Sequence, residues 1–440
     1  MAGQKLTSNL MLGAFILYLV PFVCLAVHHP VIFVPGDGGS QIEARLNKTS
    51  SPHYMCAKKS DWFDLWLNIE LMMPSAISCW ADNMRLMYDK ETHTSHSPPG
   101  VETRVVGWGN VSSVEYIDPS QNGYSVYFHK IADRLRKLGY KSDKNLYGAP
   151  YDFRKAPNEL ADFFTNMKTL VEKAYGENDN TPVILICHSM GAPNMLYFLN
   201  RQKQAWKDKY IRAMVTLAGV WAGTVRAMKV FAVGDNLGAW LISTDSIKIE
   251  ERSNPSLAFL MPSEKLWSED EILVESDNVN FTVKNISEFF NGYAYPDMSF
   301  MREDTKDLVK DLKAPGVEVY CLHGASVPTT ERMVYRSFPA SGPNLIYGDG
   351  DGTVNMRSLV ACNKWSQEQR QPVHHLVLPH IDHLAILTDS HATEAIKKVI
   401  ISITGERETS EVLEDVQNEE ESARRPFIPY PGLMPRIDIV

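Results

Sequence analysis

The segment Val183-Ile184-Leu185-Ile186-Cys187-His188-Ser189-Met190-Gly191 constrains this chain most. Its apolar half reads as a strand buried on both faces. It runs straight into x-x-Ser-x-Gly, and a helical pattern continues through Met195 to Leu199. A strand that turns into a helix so abruptly needs small residues around the bend. The bend lifts the Ser189 hydroxyl above the sheet and sets it at a helix N-terminus, whose dipole favours an oxyanion. Cys187 stands where a Gly is usual and is small enough to serve. Pro193 falls in the first helical turn, where a missing N–H is tolerated. The plainer alternative is a serine capping an ordinary helix; the strand and helix around it argue for a nucleophile.

Elsewhere the same two periods alternate. Val31–Val34, Met214–Leu217, Val317–Leu322 and Val373–Leu378 read as further strands. Tyr124–Leu138, Asn158–Ala174 and Ala392–Ile403 read as helices. Such alternation predicts an α/β fold with a mostly parallel sheet covered by helices, as in the α/β-hydrolase class. Two segments interrupt it: about 50–80, rich in aromatic residues, and about 221–261, rich in Gly, Ala and Val. Both read as insertions in one hydrolase domain spanning 27–405. The tail 406–440 is Glu-rich and then Pro-rich, and reads as disordered.

The N-terminus bounds the compartment. Lys5 precedes an apolar run from Leu10 to Val27, and Cys24-Leu25-Ala26 offers a small-residue cleavage site. Residues 1–26 therefore read as a signal peptide, with a signal anchor as the alternative. Five cysteines then remain, and their pairing is open at this point. Cys187, ending a buried strand, suits a free thiol. Sequons at Asn47, Asn110, Asn280 and Asn285 agree with passage through the secretory pathway. The formal charge of −9 lacks the basic stripe of a nucleic-acid binder.

A serine nucleophile needs a base and an orienting acid. The Gly-rich loop Gly348-Asp349-Gly350-Asp351-Gly352 follows the apolar run Leu345–Tyr347 and offers two competing aspartates. It lacks the ligand spacing of a calcium loop. His380 and His383 follow a strand, whereas His374 and His375 sit at its start; position and chain order favour His383. His188 adjoins the nucleophile but points into the fold. The oxyanion donors expected are the backbone N–H of Met190 and one from Val34-Pro35-Gly36-Asp37-Gly38.

These residues resemble the lecithin:cholesterol acyltransferase family. The likeness runs from about 30 to 403 through Val34-Pro35-Gly36-Asp37, Cys56-Ala57-Lys58-Lys59, Gly148-Ala149-Pro150-Tyr151-Asp152-Phe153-Arg154, His188-Ser189-Met190-Gly191, Gln204–Ala213, Gly348–Val354 and His383-Leu384. It implies Ser189 as nucleophile, Asp351 as acid and His383 as base, with the N–H groups of Asp37 and Met190 as oxyanion donors. It implies the disulfides Cys56–Cys79 and Cys321–Cys362. It makes 50–80 a membrane-binding segment, docking through Trp62, Phe63, Leu65, Trp66 and Leu67, with core packing of these apolar residues as the alternative, and 221–261 a lid. The chain departs from the family at Ala218-Gly219-Val220-Trp221-Ala222-Gly223, which lacks the usual Pro and one Gly before the lid.

The activity implied is phospholipid deacylation through an acyl-enzyme that passes its acyl group to water or a lipid alcohol such as ceramide. The expected partners are a phospholipid surface and that acyl acceptor, with no cofactor or metal. The chain is expected to be a monomer, in the lysosome or secreted. A secreted sterol acyltransferase and a non-catalytic lipid-binding protein on a hydrolase fold are the alternatives. Asp37 adds one expectation: an ionised carboxylate beside the oxyanion opposes the transition-state charge, so acid pH is favoured.

Overall fold

The computed structural model describes residues 28–235, 244–309 and 311–405. The expected signal peptide, with Cys24, and the tail 406–440 lie outside the described residues, as does part of the expected lid. Six strands form the central sheet, in the order Val373–Pro379, Val319–Ala325, Ile211–Leu217, Val183–His188, Val31–Val34 and Leu146–Gly148. Every neighbouring pair is parallel. The adjacent strands Val31–Val34 and Val183–His188 are buried at every residue, which explains their unbroken apolar runs. Parallel pairing requires a crossover between strands, and the helices His129–Lys137, Ala161–Glu177 and Gly191–Leu199 lie in those connections. This is the α/β-hydrolase arrangement that the sequence pattern predicts.

Several boundaries and environments differ from expectation. The pattern from Tyr124 is helical only from His129, because Gly123–Ser125 forms a 3-10 turn and Val126 bridges Tyr116. The run from Asn158 begins with a 3-10 turn at Pro157–Glu159 before the helix Ala161–Glu177. Leu345–Tyr347 is not a central strand: it lies in Asn344–Gly348, antiparallel to Thr329–Val334 in a separate sheet, with Ile346 and Tyr347 exposed. Apolar residues here do not report burial, since a strand can form wherever pairing is available. The edge strand Val373–Pro379 likewise has one neighbour, and His374 through Val377 are exposed.

The aromatic segment requires a correction. Lys59–Trp66 is a strand paired with Ile42–Asn47, and Leu65, Trp66 and Leu67 are buried, so these three cannot meet a membrane. The Trp66 indole donates to the Gly38 carbonyl at 2.7 Å and packs beside Trp80 and Phe153. The segment's most apolar residues thus brace the Gly38 loop. Trp62 is half-buried between the Arg45 and Arg104 guanidiniums, and Phe63 is half-buried. The outward apolar residues of the segment are Tyr54, Met55 and Met73. Cys56 pairs with Cys79 and Cys321 with Cys362, at Cα separations of 5.3 and 6.8 Å, and Cys187 is buried and free.

Within 221–261 lie the helices Val225–Val233, Thr244–Glu251 and Pro255–Phe259. The departure at 218–223 is a buried turn: Ala218 adopts φ 53°, and Trp221 packs against Trp365 with ring centres 4.7 Å apart. Among the described residues no helix is long and apolar enough to cross a membrane.

Candidate active site

The strand Val183–His188 ends against the helix Gly191–Leu199 with two residues between them. Ser189 carries the bend at φ 51°, a left-handed conformation that a non-glycine residue adopts only where its surroundings impose it. The Ser189 N–H donates to Leu217 O of the next strand at 2.9 Å, which anchors the bend to the sheet. Small residues are needed around it. A Cβ on Gly191 would stand 2.5 Å from Pro35 O, and one on Gly36 would stand 2.6 Å from Ser189 Cβ. The loop after Val31–Val34 therefore runs directly against Ser189.

Three side chains far apart in sequence converge there. His383 Nε2 lies 2.9 Å from Ser189 Oγ, and His383 Nδ1 lies 2.8 Å from Asp351 Oδ2. All three residues are buried. The other Asp351 oxygen, Oδ1, accepts from the N–H groups of Thr353 (3.0 Å) and Val354 (2.7 Å), so the carboxylate is held on both sides. The His383 N–H also donates to Asp351 O at 2.8 Å, joining the loops that carry the two side chains. With Nδ1–H directed at a carboxylate, Nε2 is left to accept the serine proton.

The competing residues face elsewhere. Asp349 is exposed and accepts from the Ser326 N–H at 2.8 Å. His380 is exposed, with φ 63°. His374 pairs with Glu318, and His375 with His323. His188 does point into the fold, as expected, yet its ring centre is 4.9 Å from that of His383.

Asp37 and Gly38 face a narrow cavity walled by Trp66, Trp80 and Phe153 and covered by Ile247, Glu250 and Glu251 of the helix Thr244–Glu251. Asp37 Oδ1 is sealed from solvent without a hydrogen-bond partner. Burial pushes the Asp37 carboxyl well up, the nearby Glu250 pushes it further, and the Gly38 N–H opposes both. Burial also pushes Glu250 up to about 7, against the Asn254 amide and the Arg154 guanidinium. Glu251 is pushed well up by burial and by Glu250 and Asp235. These carboxyls escaped sequence reasoning, because Glu250 and Glu251 are ordinary helix residues until the chain folds over the site.

Asn47, Asn110 and Asn280 are exposed, whereas Asn285 is half-buried and its amide donates to Asn280 O at 3.1 Å. Among the described residues the one cluster with metal-ligand spacing is His53, Cys56 and Cys79, where the two sulfurs are joined to each other.

The lecithin:cholesterol acyltransferase family profile matches residues 62–393. The mouse (Mus musculus) protein named lysosomal phospholipase A and acyltransferase is 40% identical over 400 residues, covering 90% of this chain and 97% of its own. Phosphatidylcholine-sterol acyltransferase of Gallus gallus is 40% identical over 358 residues, covering 81% of this chain and 86% of its own. Among solved structures, the Tle4–Tli4 complex aligns with TM-score 0.45 at 12% identity, covering 87% of this chain and 99% of the other.

Proposed function

The chain belongs to the lecithin:cholesterol acyltransferase family, and on that premise we propose that it is a serine-dependent phospholipase A and O-acyltransferase. It acts on lipids, in the lysosome or outside the cell. The observation that carries the reading is the buried Ser189–His383–Asp351 chain of hydrogen bonds.

In the first half-reaction Ser189 Oγ attacks an ester carbonyl of a glycerophospholipid while His383 Nε2 takes the hydroxyl proton. Asp351 holds the ring and stabilises its cation. The N–H groups of Met190, at the helix N-terminus, and Asp37, on the adjoining loop, receive the oxyanion. The lysophospholipid leaves with the proton from His383, and the acyl group stays on Ser189. In the second half-reaction His383 deprotonates water or a lipid alcohol, which takes the acyl group and frees the serine. Asp37 adds pH dependence: neutral, its carboxyl leaves the oxyanion unopposed. Tyr54, Met55 and Met73 supply the membrane contact first assigned to Leu65, Trp66 and Leu67, with Trp62 and Phe63 beside them.

The test is a liposome assay with phosphatidylcholine and ceramide, at pH 4.5 and 7.4 (chosen to bracket the reference His value of about 6.5), with Ser189→Ala as control. Ser189-dependent release of fatty acid and acylceramide, mainly at acid pH, is the expected result. Transfer to sterol alone would move the assignment to the sterol acyltransferase. Equal activity of Ser189→Ala would overturn the serine mechanism.

A further inference from the structure

We propose that His188, the residue before the nucleophile, is a positioning residue that ties the oxyanion loop to the general base, with Tyr127 as its partner. The proposal rests on the serine mechanism above and adds two residues to it. His188 and Tyr127 are both buried, and neither touches the reacting atoms in the steps just described.

The geometry leaves one pattern of protons. His188 Nε2 lies 3.0 Å from the backbone carbonyl oxygen of His383. A carbonyl only accepts, so His188 Nε2 carries the hydrogen. His188 Nδ1 lies 2.5 Å from Tyr127 Oη. In the neutral ring that nitrogen is the acceptor, so the phenol donates to it. Tyr127 Oη in turn accepts the Gly36 N–H at 3.0 Å. The relay thus runs from the Gly36 amide through the Tyr127 hydroxyl to one face of His188, and from the other face to His383. Every polar group in it has a partner, as burial demands.

Its ends are the two parts of the site that must stay in register with Ser189. Gly36 immediately precedes Asp37 and is packed against Ser189. His383 bears the nitrogen that takes the serine proton. These segments come from opposite ends of the chain, and from the strand that delivers the nucleophile His188 holds His383 directly and Gly36 through Tyr127.

The relay works only if His188 stays neutral. Burial holds its imidazole well below the usual range, the adjacent His383 lowers it further, and the bond to His383 O opposes both. A charged His188 would place an N–H against the Tyr127 hydroxyl proton and a second cation beside His383 as that ring becomes positive. Tyr127 is pushed up by burial, so it too stays neutral. Both shifts favour the one hydrogen-bond pattern that the distances require.

The test uses the full chain, with active sites counted by a serine-directed phosphonate. Tyr127→Phe removes one oxygen and keeps the packing. His188→Gln keeps an amide N–H in reach of the His383 carbonyl and loses the acceptor for Tyr127. Each variant is expected to lower kcat per titrated site roughly 10- to 100-fold, the scale of small misplacements of reacting groups, with KM for phosphatidylcholine liposomes nearly unchanged. The double variant is expected to lose little more than either alone, because both break one relay. A purely structural role would lower the melting temperature and the titratable fraction but spare kcat per site. Wild-type kcat per titrated site in both single variants would overturn the proposal. Activity that survives Ser189→Ala would instead overturn the serine mechanism, and this inference with it.

Discussion

Replacing Glu250 by Gln removes one ionisation from the cover of the Asp37–Gly38 loop. Glu250 is 5% exposed, and its carboxyl accepts from the Asn254 amide at 2.8 Å. Around it stand Asp37, Glu251, Arg154 and Asp152. Its carboxyl titrates near 4.5 in the unfolded chain and is pushed up to about 7 in the folded one. Below pH 4.5 both forms hold the proton and the residue costs nothing. Between 4.5 and about 7 the unfolded chain releases its proton while the folded chain keeps it, so stability falls as pH rises. Above that window the loss is constant. The separation corresponds to about 3 kcal/mol at neutral pH. In a domain this large that is on the order of 3–6 °C of melting temperature. Gln keeps the acceptor oxygen for Asn254 and has no proton to lose. Thermal melts of wild type and Glu250→Gln at matched scan rate are therefore expected to coincide near pH 4.5 and to separate near pH 7.5, with the variant higher. A variant no more stable than wild type at pH 7.5, or equally stabilised at both values, would refute the reasoning.

Three further outcomes are expected. Asp37→Asn should extend phospholipid hydrolysis toward neutral pH, because the carboxyl that opposes the oxyanion when ionised is gone; a pH–rate profile that stays in place would exclude that role. Asp351→Asn should lower kcat roughly 10³–10⁴-fold by favouring the wrong His383 tautomer, and turnover by titrated enzyme within tenfold of wild type would place the orienting acid elsewhere. Gly324→Ala would put a methyl 1.8 Å from Ile381 O and 3.2 Å from Asp351 Cβ; it should cost about 1–3 kcal/mol by overpacking and weaken activity by parting acid from base, which denaturant melts and turnover per titrated site together can check.

How much was legible follows from range. The bend at Ser189 can be read because strand, serine and helix are contiguous, and in the structure Ser189 carries that bend at φ 51°. Asp351 and His383 follow the serine in chain order, and position favours His383, yet choosing between neighbouring Asp349 and Asp351 needs a resemblance. Only folding shows that Asp349 and His380 are exposed while their neighbours meet at 2.8 Å. The aromatic segment was misjudged in part for a related reason: composition does not tell an inward Trp66 from an outward Tyr54. Tyr127 was invisible, because nothing local marks a tyrosine whose partners are Gly36 and His188.

By itself the sequence determined the parallel α/β core, the sharp bend at Ser189, and the chain order of Ser189, Asp351 and His383. Each is written in neighbouring residues, as apolar periodicity, small side chains at a turn, or glycines at a loop. The tertiary structure decided which aspartate and histidine reach the serine, which apolar residues are covered, and that Glu250 and Glu251 close over Asp37, where burial raises all three carboxyls and Glu250 raises the other two further. Those outcomes depend on distance and desolvation between segments far apart in the chain, and neither exists until the chain folds.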